Sequence, residues 1–336
     1  MEIKKVNLFF PFFIFGFIFL NLAVAIIEKI MIQSGIVNAV PTWVMYLQNE
    51  IIILSMVLIY CLVTKVKISE FRIKLLSLKE VILSLLVGYL IIPMAMFLTS
   101  VTGLFVENAA STTVALVNPY PFIVQLILIA VMPAFVEEVT FRGLFYGTYR
   151  KSGKYLGAIV LSGVLFGLFH LNFDQFVYAT FMGIVLAKLT EATGSILSSM
   201  LAHFAFNTYS VTMSYLLKFV DEDIVTNSKA EAASMTVAEK ATQLGGLFVS
   251  GLLFLAIAIF VIQILDKKNK KEIDDLSLVN TTDYNEQEYN KQDDKEKEDT
   301  VSTEEEKSEK NRLITIPLVC GIIMALCYMI FSLIVM

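Results

Sequence analysis

Ionisable side chains stand where this sequence otherwise reads as hydrocarbon. The chain has only two histidines, His170 and His203, and both lie inside long apolar runs. A third apolar run holds Glu137-Glu138-Val139-Thr140-Phe141-Arg142. An ionisable group at the centre of a bilayer costs about 2.5–3.5 kcal/mol or more, so such groups are rare unless they pair or work. Two carboxylates, a guanidinium and two imidazoles are the parts of acid–base hydrolysis. They offer a base for water, a partner that fixes charge, and donors for a developing oxyanion.

The spacing assigns them parts. Glu138 and Arg142, Phe166 and His170, and His203 and Asn207 are each i,i+4, which puts both members of a pair on one helical face. Glu138 is expected to pair with Arg142. Glu137 points about 100° away around the helix, lacks that partner, and is expected to act as the base, alone or with His170. His203 and Asn207 share a face suited to donating hydrogen bonds to an oxyanion. A second reading stays open, in which Glu137, His170 and His203 hold Zn²⁺ and the metal activates the water. The sequence lacks HExxH, so nothing in it requires zinc. Taken singly, each residue has a structural explanation: a Glu–Arg clip, a hydrogen-bonded core histidine, an asparagine joining two helices. Their shared spacing and depth favour a site.

The elements that carry these residues follow from composition. With 57% hydrophobic residues and a mean hydropathy of +0.72, an ordinary soluble domain is excluded. The expected fold is all-α, a polytopic integral membrane helical bundle with about eight spans in its body and one more at the C-terminal side. The nine apolar runs fall near 8–28, 43–64, 80–102, 120–149, 155–172, 174–190, 195–217, 244–265 and 313–336. The fifth and sixth are separated only by Leu171-Asn172-Phe173-Asp174, which leaves open a hairpin that barely crosses. Counting 1.5 Å per residue from the polar connections puts Glu137, His170, His203 and Asn207 in the middle or inner half of the membrane. Domain boundaries are expected at 1–119 for the N-terminal helices, 120–217 for the core carrying the motifs, and 218–265 for an outer loop and the eighth span. A linker at 266–312 and a last span at 313–336 complete the chain.

Loop charge predicts the orientation. Lys4, Lys5, Lys65, Lys67, Arg72, Lys74, Arg150, Lys151, Lys154 and the Lys267–Lys271 cluster mark one side, and 103–119 has no Lys or Arg. The even-numbered connections and the N-terminus are therefore expected in the cytoplasm. The N-terminal run, with Ala23-Val24-Ala25 after it, is similar to a signal peptide but continues apolar through Ile27, so an uncleaved first span is expected. Residues 266–312 hold 16 acidic and 10 basic residues and no Phe, Trp or Pro, a composition expected to stay disordered as a cytoplasmic linker. The pI near 5.3 belongs to that segment and says nothing of a substrate. Gly163 and Gly167 form a GxxxG pair expected to admit a close helix neighbour. Glu50 is expected to snorkel or pack near the outer interface. Cys61, Cys320 and Cys327 are expected as small packing residues, with neither a disulfide framework nor a CxxC metal signal.

At Glu137-Glu138…Arg142, Phe166…His170 and His203…Asn207 the chain resembles the CAAX protease and bacteriocin-processing (CPBP or Abi) family of intramembrane peptidases. The family pattern, EExxxR, FxxxH and HxxxN, is complete here over about 120–210. The resemblance implies an all-helical membrane endopeptidase whose cavity opens to the cytosol. It implies water activation by Glu137 and His170, an oxyanion site at His203 and Asn207, and support from Glu138 and Arg142. Both metal-dependent and metal-free glutamate mechanisms are associated with the family. It also implies a membrane-associated peptide or protein substrate in the lipid bilayer, no nucleic-acid partner, and a bacterial cell membrane as the location. Two other readings compete: a non-catalytic immunity or scaffold protein that keeps the site, and an ion- or proton-coupled transporter. The second would show inverted repeats, and no repeat is evident.

Overall fold

The structure, a computed structural model, describes residues 1–106, 116–285 and 312–335. Its elements are helices: α1 (Ile3–Gln33), α2 (Thr42–Thr64), α3 (Leu78–Leu90), α4 (Ile92–Thr102), α5 (Phe122–Ser152), α6 (Tyr155–Phe169), α7 (Phe173–Thr193), α8 (Ile196–Leu216), α9 (Glu222–Ser234), α10 (Val237–Asn285) and α11 (Ile316–Val335). The chain is an integral membrane protein. Among the described residues, seven helices are long and apolar enough to cross a bilayer, with α3 and α4 counted as one span broken at Ile91, just before Pro93.

All nine expected runs are helical, but two differ from full apolar spans. The fifth, α6, has 15 residues, about 22 Å of helix, which is short of the hydrocarbon thickness. Leu171 takes a left-handed φ of 56° and stops it, and Asn172 opens α7 by accepting a hydrogen bond from the Gln175 N–H at 2.8 Å. The seventh, α8, is 21 residues long but carries Ser198, Ser199, His203 and Asn207, so it is less apolar than the others. At the other end of the expected linker boundary, α10 does not stop at 266. It runs on to Asn285, with Lys270 and Asp266 paired at i,i+4. The rest of the linker, 286–311, lies outside the described residues.

Small residues let the site helices approach. Gly163 and Gly167 of α6 lie against α7, where an added Cβ would meet Ile184 and the Phe176 carbonyl at 2.5 and 2.6 Å. Gly183 of α7 faces Gly163 in return. The expected GxxxG contact is thus made, and α6 and α7 form a tight antiparallel pair.

One end of the bundle is tied by ions. Glu191 near the end of α7 accepts from Arg150 at 2.6 and 3.0 Å, from Arg72 at 2.9 Å and from the Tyr146 hydroxyl at 2.6 Å. Lys151 donates to Glu70 at 2.6 Å, and Lys268 of α10 pairs with Glu80 of α3 at 3.2 Å. The even-numbered connections therefore meet at one face of the bundle. Beneath them lies an aromatic layer in which Phe141, Phe145, Tyr146 and Tyr149 are fully buried. Of the cysteines, Cys320 and Cys327 face outward from α11 and Cys61 is half-buried; all three are free, and the two on α11 are not core packing residues as expected.

Candidate active site

The helix that carries the paired glutamates is irregular where they sit. Within α5, Ile127–Val131 and Val139–Tyr146 are π-helical and flank the α-helical turn Met132–Glu138. Such insertions cluster at functional positions because they turn side chains away from the ordinary α-helical register. Pro133 adds a second irregularity. It has no N–H to give the carbonyl of Ile129 four residues earlier, and that carbonyl instead accepts from the Asn207 amide at 2.9 Å. Asn207 thus joins α8 to α5 at the proline.

Glu138 is the centre of the charge network. Its Oε1 accepts from Arg142 Nη1 at 2.7 Å and lies 3.0 Å from His203 Nδ1, and all three side chains are buried. Arg142 Nη2 donates to the Gly183 carbonyl at 3.0 Å, which fixes the guanidinium against α7. Its Cζ stacks over the Phe166 ring at 4.5 Å. The same ring meets His170 edge-on at 4.9 Å between centroids and His203 at 5.9 Å. Phe166 of the FxxxH pair therefore touches the guanidinium and both imidazoles at once.

Hydrogen bonding fixes the tautomers. His170 Nδ1 lies 2.9 Å from the Phe166 carbonyl, which can only accept, so Nδ1 carries the proton and Nε2 of the neutral ring is left as an acceptor. His203 Nδ1 donates to the Glu138 carboxylate, and its Nε2 lies 3.8 Å from Glu137 Oε2. Glu137 is 13% exposed while Glu138 is fully buried, so the two adjacent carboxylates occupy different environments. Arg142 pairs with Glu138 and not with Glu137, and His203 stands between the two glutamates.

A cavity of about 1220 Å³ opens from these residues. Glu137, His170, His203 and Asn207 line it, whereas Glu138 and Arg142 lie behind the wall. All six motif residues with a polar side chain are therefore in one place, four facing the space and two supporting it. Tyr209, Ser210, Ser214 and Lys218 continue the lining along α8 to its exposed end. Among the described residues, no three His, Cys, Asp or Glu side chains are grouped to hold a metal ion. His203 meets Glu138 with one ring nitrogen and faces Glu137 with the other.

Glu50 is the residue that sequence reasoning misplaced. It is 8% exposed rather than snorkelling, and it lines the same cavity as Glu137. Its Oε2 has no hydrogen-bond partner among the described residues. The signal available was the cost itself: a carboxylate eight residues into a span of 23 is too deep for its short side chain to reach water.

Residues 119–209 match the Rce1-like family, described as type II CAAX prenyl endopeptidase Rce1-like. Over 89 residues the chain is 28% identical to YdiL of Bacillus subtilis (strain 168), a protein named as a candidate membrane peptidase. That stretch covers 26% of this chain and 36% of the relative, so the likeness spans little more than a third of the relative's length. No solved structure matches the chain significantly. The stretch that carries EExxxR, FxxxH and HxxxN is thus similar to the CAAX endopeptidases, as its motifs indicate.

Proposed function

We propose that this protein is an intramembrane endopeptidase that hydrolyses a membrane-associated peptide or protein. The observation that carries the reading is the convergence of all three motifs on one cavity, with Glu137 and His170 facing it and the Glu138–Arg142–His203 network behind it. In the reaction, a water held between Glu137 and the acceptor Nε2 of His170 gives its proton to the Glu137 carboxylate. The hydroxide oxygen bonds to the scissile carbonyl carbon, and the carbonyl electron pair moves to oxygen. The proton then passes from Glu137 to the leaving nitrogen as the C–N bond breaks, which restores the carboxylate and releases an acid and an amine. Glu138 and Arg142 hold the charge balance beside the site, and Gly183 fixes the guanidinium.

The oxyanion role has a stated requirement. Nδ1 of His203 is committed to Glu138, so donation from Nε2 requires a hydrogen on both ring nitrogens. Asn207 has one amide hydrogen on Ile129 and a second left to give. The reading uses no metal. Membrane proteomics comparing cells that express the wild-type protein with cells expressing Glu137→Ala tests it. Peptide termini that vanish in the variant are expected, and identical termini at equal protein abundance would refute the peptidase and favour a scaffold or transporter.

A further inference from the structure

We infer that the cavity receives its substrate from the extracytoplasmic side of the membrane, a step that rests on the peptidase reading for the word substrate but not for the route. The resemblance leads to the opposite expectation, a cavity open to the cytosol. Three observations argue against it.

The first is where the lining residues sit along their helices. On α2 the cavity runs from Tyr46, near the Thr42 end, through Asn49 and Glu50 to Ile53 at the middle; on α4 it reaches Ser100, near the Thr102 end. On α8 it begins at His203 and continues to Leu217 and Lys218, past the helix end. Each helix thus contributes its middle and the half that points away from the ion-paired face. The second is what blocks the other way out. Between Glu137 and that face lies the buried layer of Phe141, Phe145, Tyr146 and Tyr149, and beyond it the ties from Glu191 to Arg72 and Arg150.

The third is charge. The connections at the closed face, 65–77, 150–154 and 266–271, carry eleven Lys and Arg, while those at the open face, 34–41, 103–106, 116–119, 170–172 and 217–236, carry two, Lys218 and Lys229. Basic connections stay in the cytoplasm. The open end is therefore outside, and the fitting substrate is an exported peptide or the outer end of a membrane span. At about 1220 Å³ the space exceeds the 300–1,000 Å³ usual for small-molecule pockets and suits a length of peptide chain.

Cysteine labelling tests the route without using activity. Cys61, Cys320 and Cys327 are first replaced by Ser, and Ser214→Cys, Lys218→Cys and Lys151→Cys are made singly in that background. A membrane-impermeant maleimide is applied to intact cells, to permeabilised cells and to protein denatured in detergent, the last fixing the total that can react. Ser214→Cys and Lys218→Cys are expected to label in intact cells, and Lys151→Cys only after permeabilisation. The reverse pattern would overturn the inference. So would a Lys218→Cys that labels from outside beside a Ser214→Cys that stays unlabelled until denaturation, because the mouth would then be closed. Glu137-dependent termini should also lie in extracytoplasmic segments. Termini confined to cytoplasmic segments would overturn the route, and an absence of such termini with outside labelling intact would sink the peptidase reading alone.

Discussion

Removing Arg142 should destabilise the protein far more than removing the carboxylate one turn away that faces the cavity. Arg142→Ala deletes the 2.7 Å bond to Glu138, the 3.0 Å bond to the Gly183 carbonyl and the stacking on Phe166, all in a fully buried place. Breaking a buried pair by removing one partner costs about 3–5 kcal/mol, mainly because the surviving charge is left without compensation. The Phe166 contact adds about 2 kcal/mol when desolvated. These do not simply sum, since His203 still holds Glu138 Oε1 at 3.0 Å and takes up part of the loss. A net destabilisation of about 3–5 kcal/mol is expected. Thermal unfolding of purified protein in detergent micelles measures it, with Glu137→Gln as the comparison. The Glu137 contact to His203 is 3.8 Å, too long for a hydrogen bond, so that variant should melt near the wild type. The double variant Glu138→Gln/Arg142→Met should recover stability relative to Arg142→Ala alone, because no buried charge is then orphaned. An Arg142→Ala protein that melts with the wild type, or a double variant that loses the sum of its singles, would refute this account.

Asn207→Ala should cost about 1–3 kcal/mol by leaving the Ile129 carbonyl unpaired; adding Pro133→Ala supplies an N–H and should restore the melting temperature, and a double variant no more stable than the single would show that the carbonyl is not the cause. Cleavage should stay low in that stabilised double variant if Asn207 serves the oxyanion, and full activity there would remove it from the mechanism. Glu50→Leu should raise thermal stability, since a buried carboxylate with an unpartnered oxygen is exchanged for an apolar side chain; its cleavage rate should fall if Glu50 takes part in proton transfer and stay level if it is a passive wall. Purified active protein should contain far less than one equivalent of zinc by elemental analysis, and stoichiometric zinc with activity lost on chelation and regained on zinc addition would replace the glutamate mechanism with a metal one.

The architecture was legible wherever a pattern had one physical meaning. Among the described residues, seven of the nine expected spans are helices long and apolar enough to cross, and the i,i+4 spacing anticipated the pairing of Glu138 with Arg142. GxxxG likewise foretold the α6–α7 packing. What could not be read depended on partners far along the chain. His203 sits between Glu137 and Glu138 because α8 packs beside α5, and nothing in HxxxN says which nitrogen meets which carboxylate. Asn207 is tied to Ile129 through the absence of a hydrogen on Pro133, 74 positions before it. Glu50 packs inward rather than snorkelling, and its place on the cavity could not be read because a single polar residue in the first half of a span looks the same whether it faces an interface or a cavity. The short connection 171–174 had left open a hairpin that barely crosses, as α6 does, but the left-handed turn at Leu171 that ends it carries no glycine to announce it.

The ion-paired face has a mechanical consequence. Its helices are riveted where Glu191 gathers two arginines and a tyrosine, while across the membrane the ties are lighter, such as Thr102 to Asp174 at 3.2 Å. A bundle fastened at one end has the build of a pair of tongs, tied at the pivot and held more loosely at the tips. Glu137 and His203 lie between that pivot and the tips, separated from the pivot by the aromatic layer of Phe141, Phe145, Tyr146 and Tyr149. On the proposed peptidase reading, selection would turn on whether a segment can be threaded between the tips, and less on the fit of any one side chain.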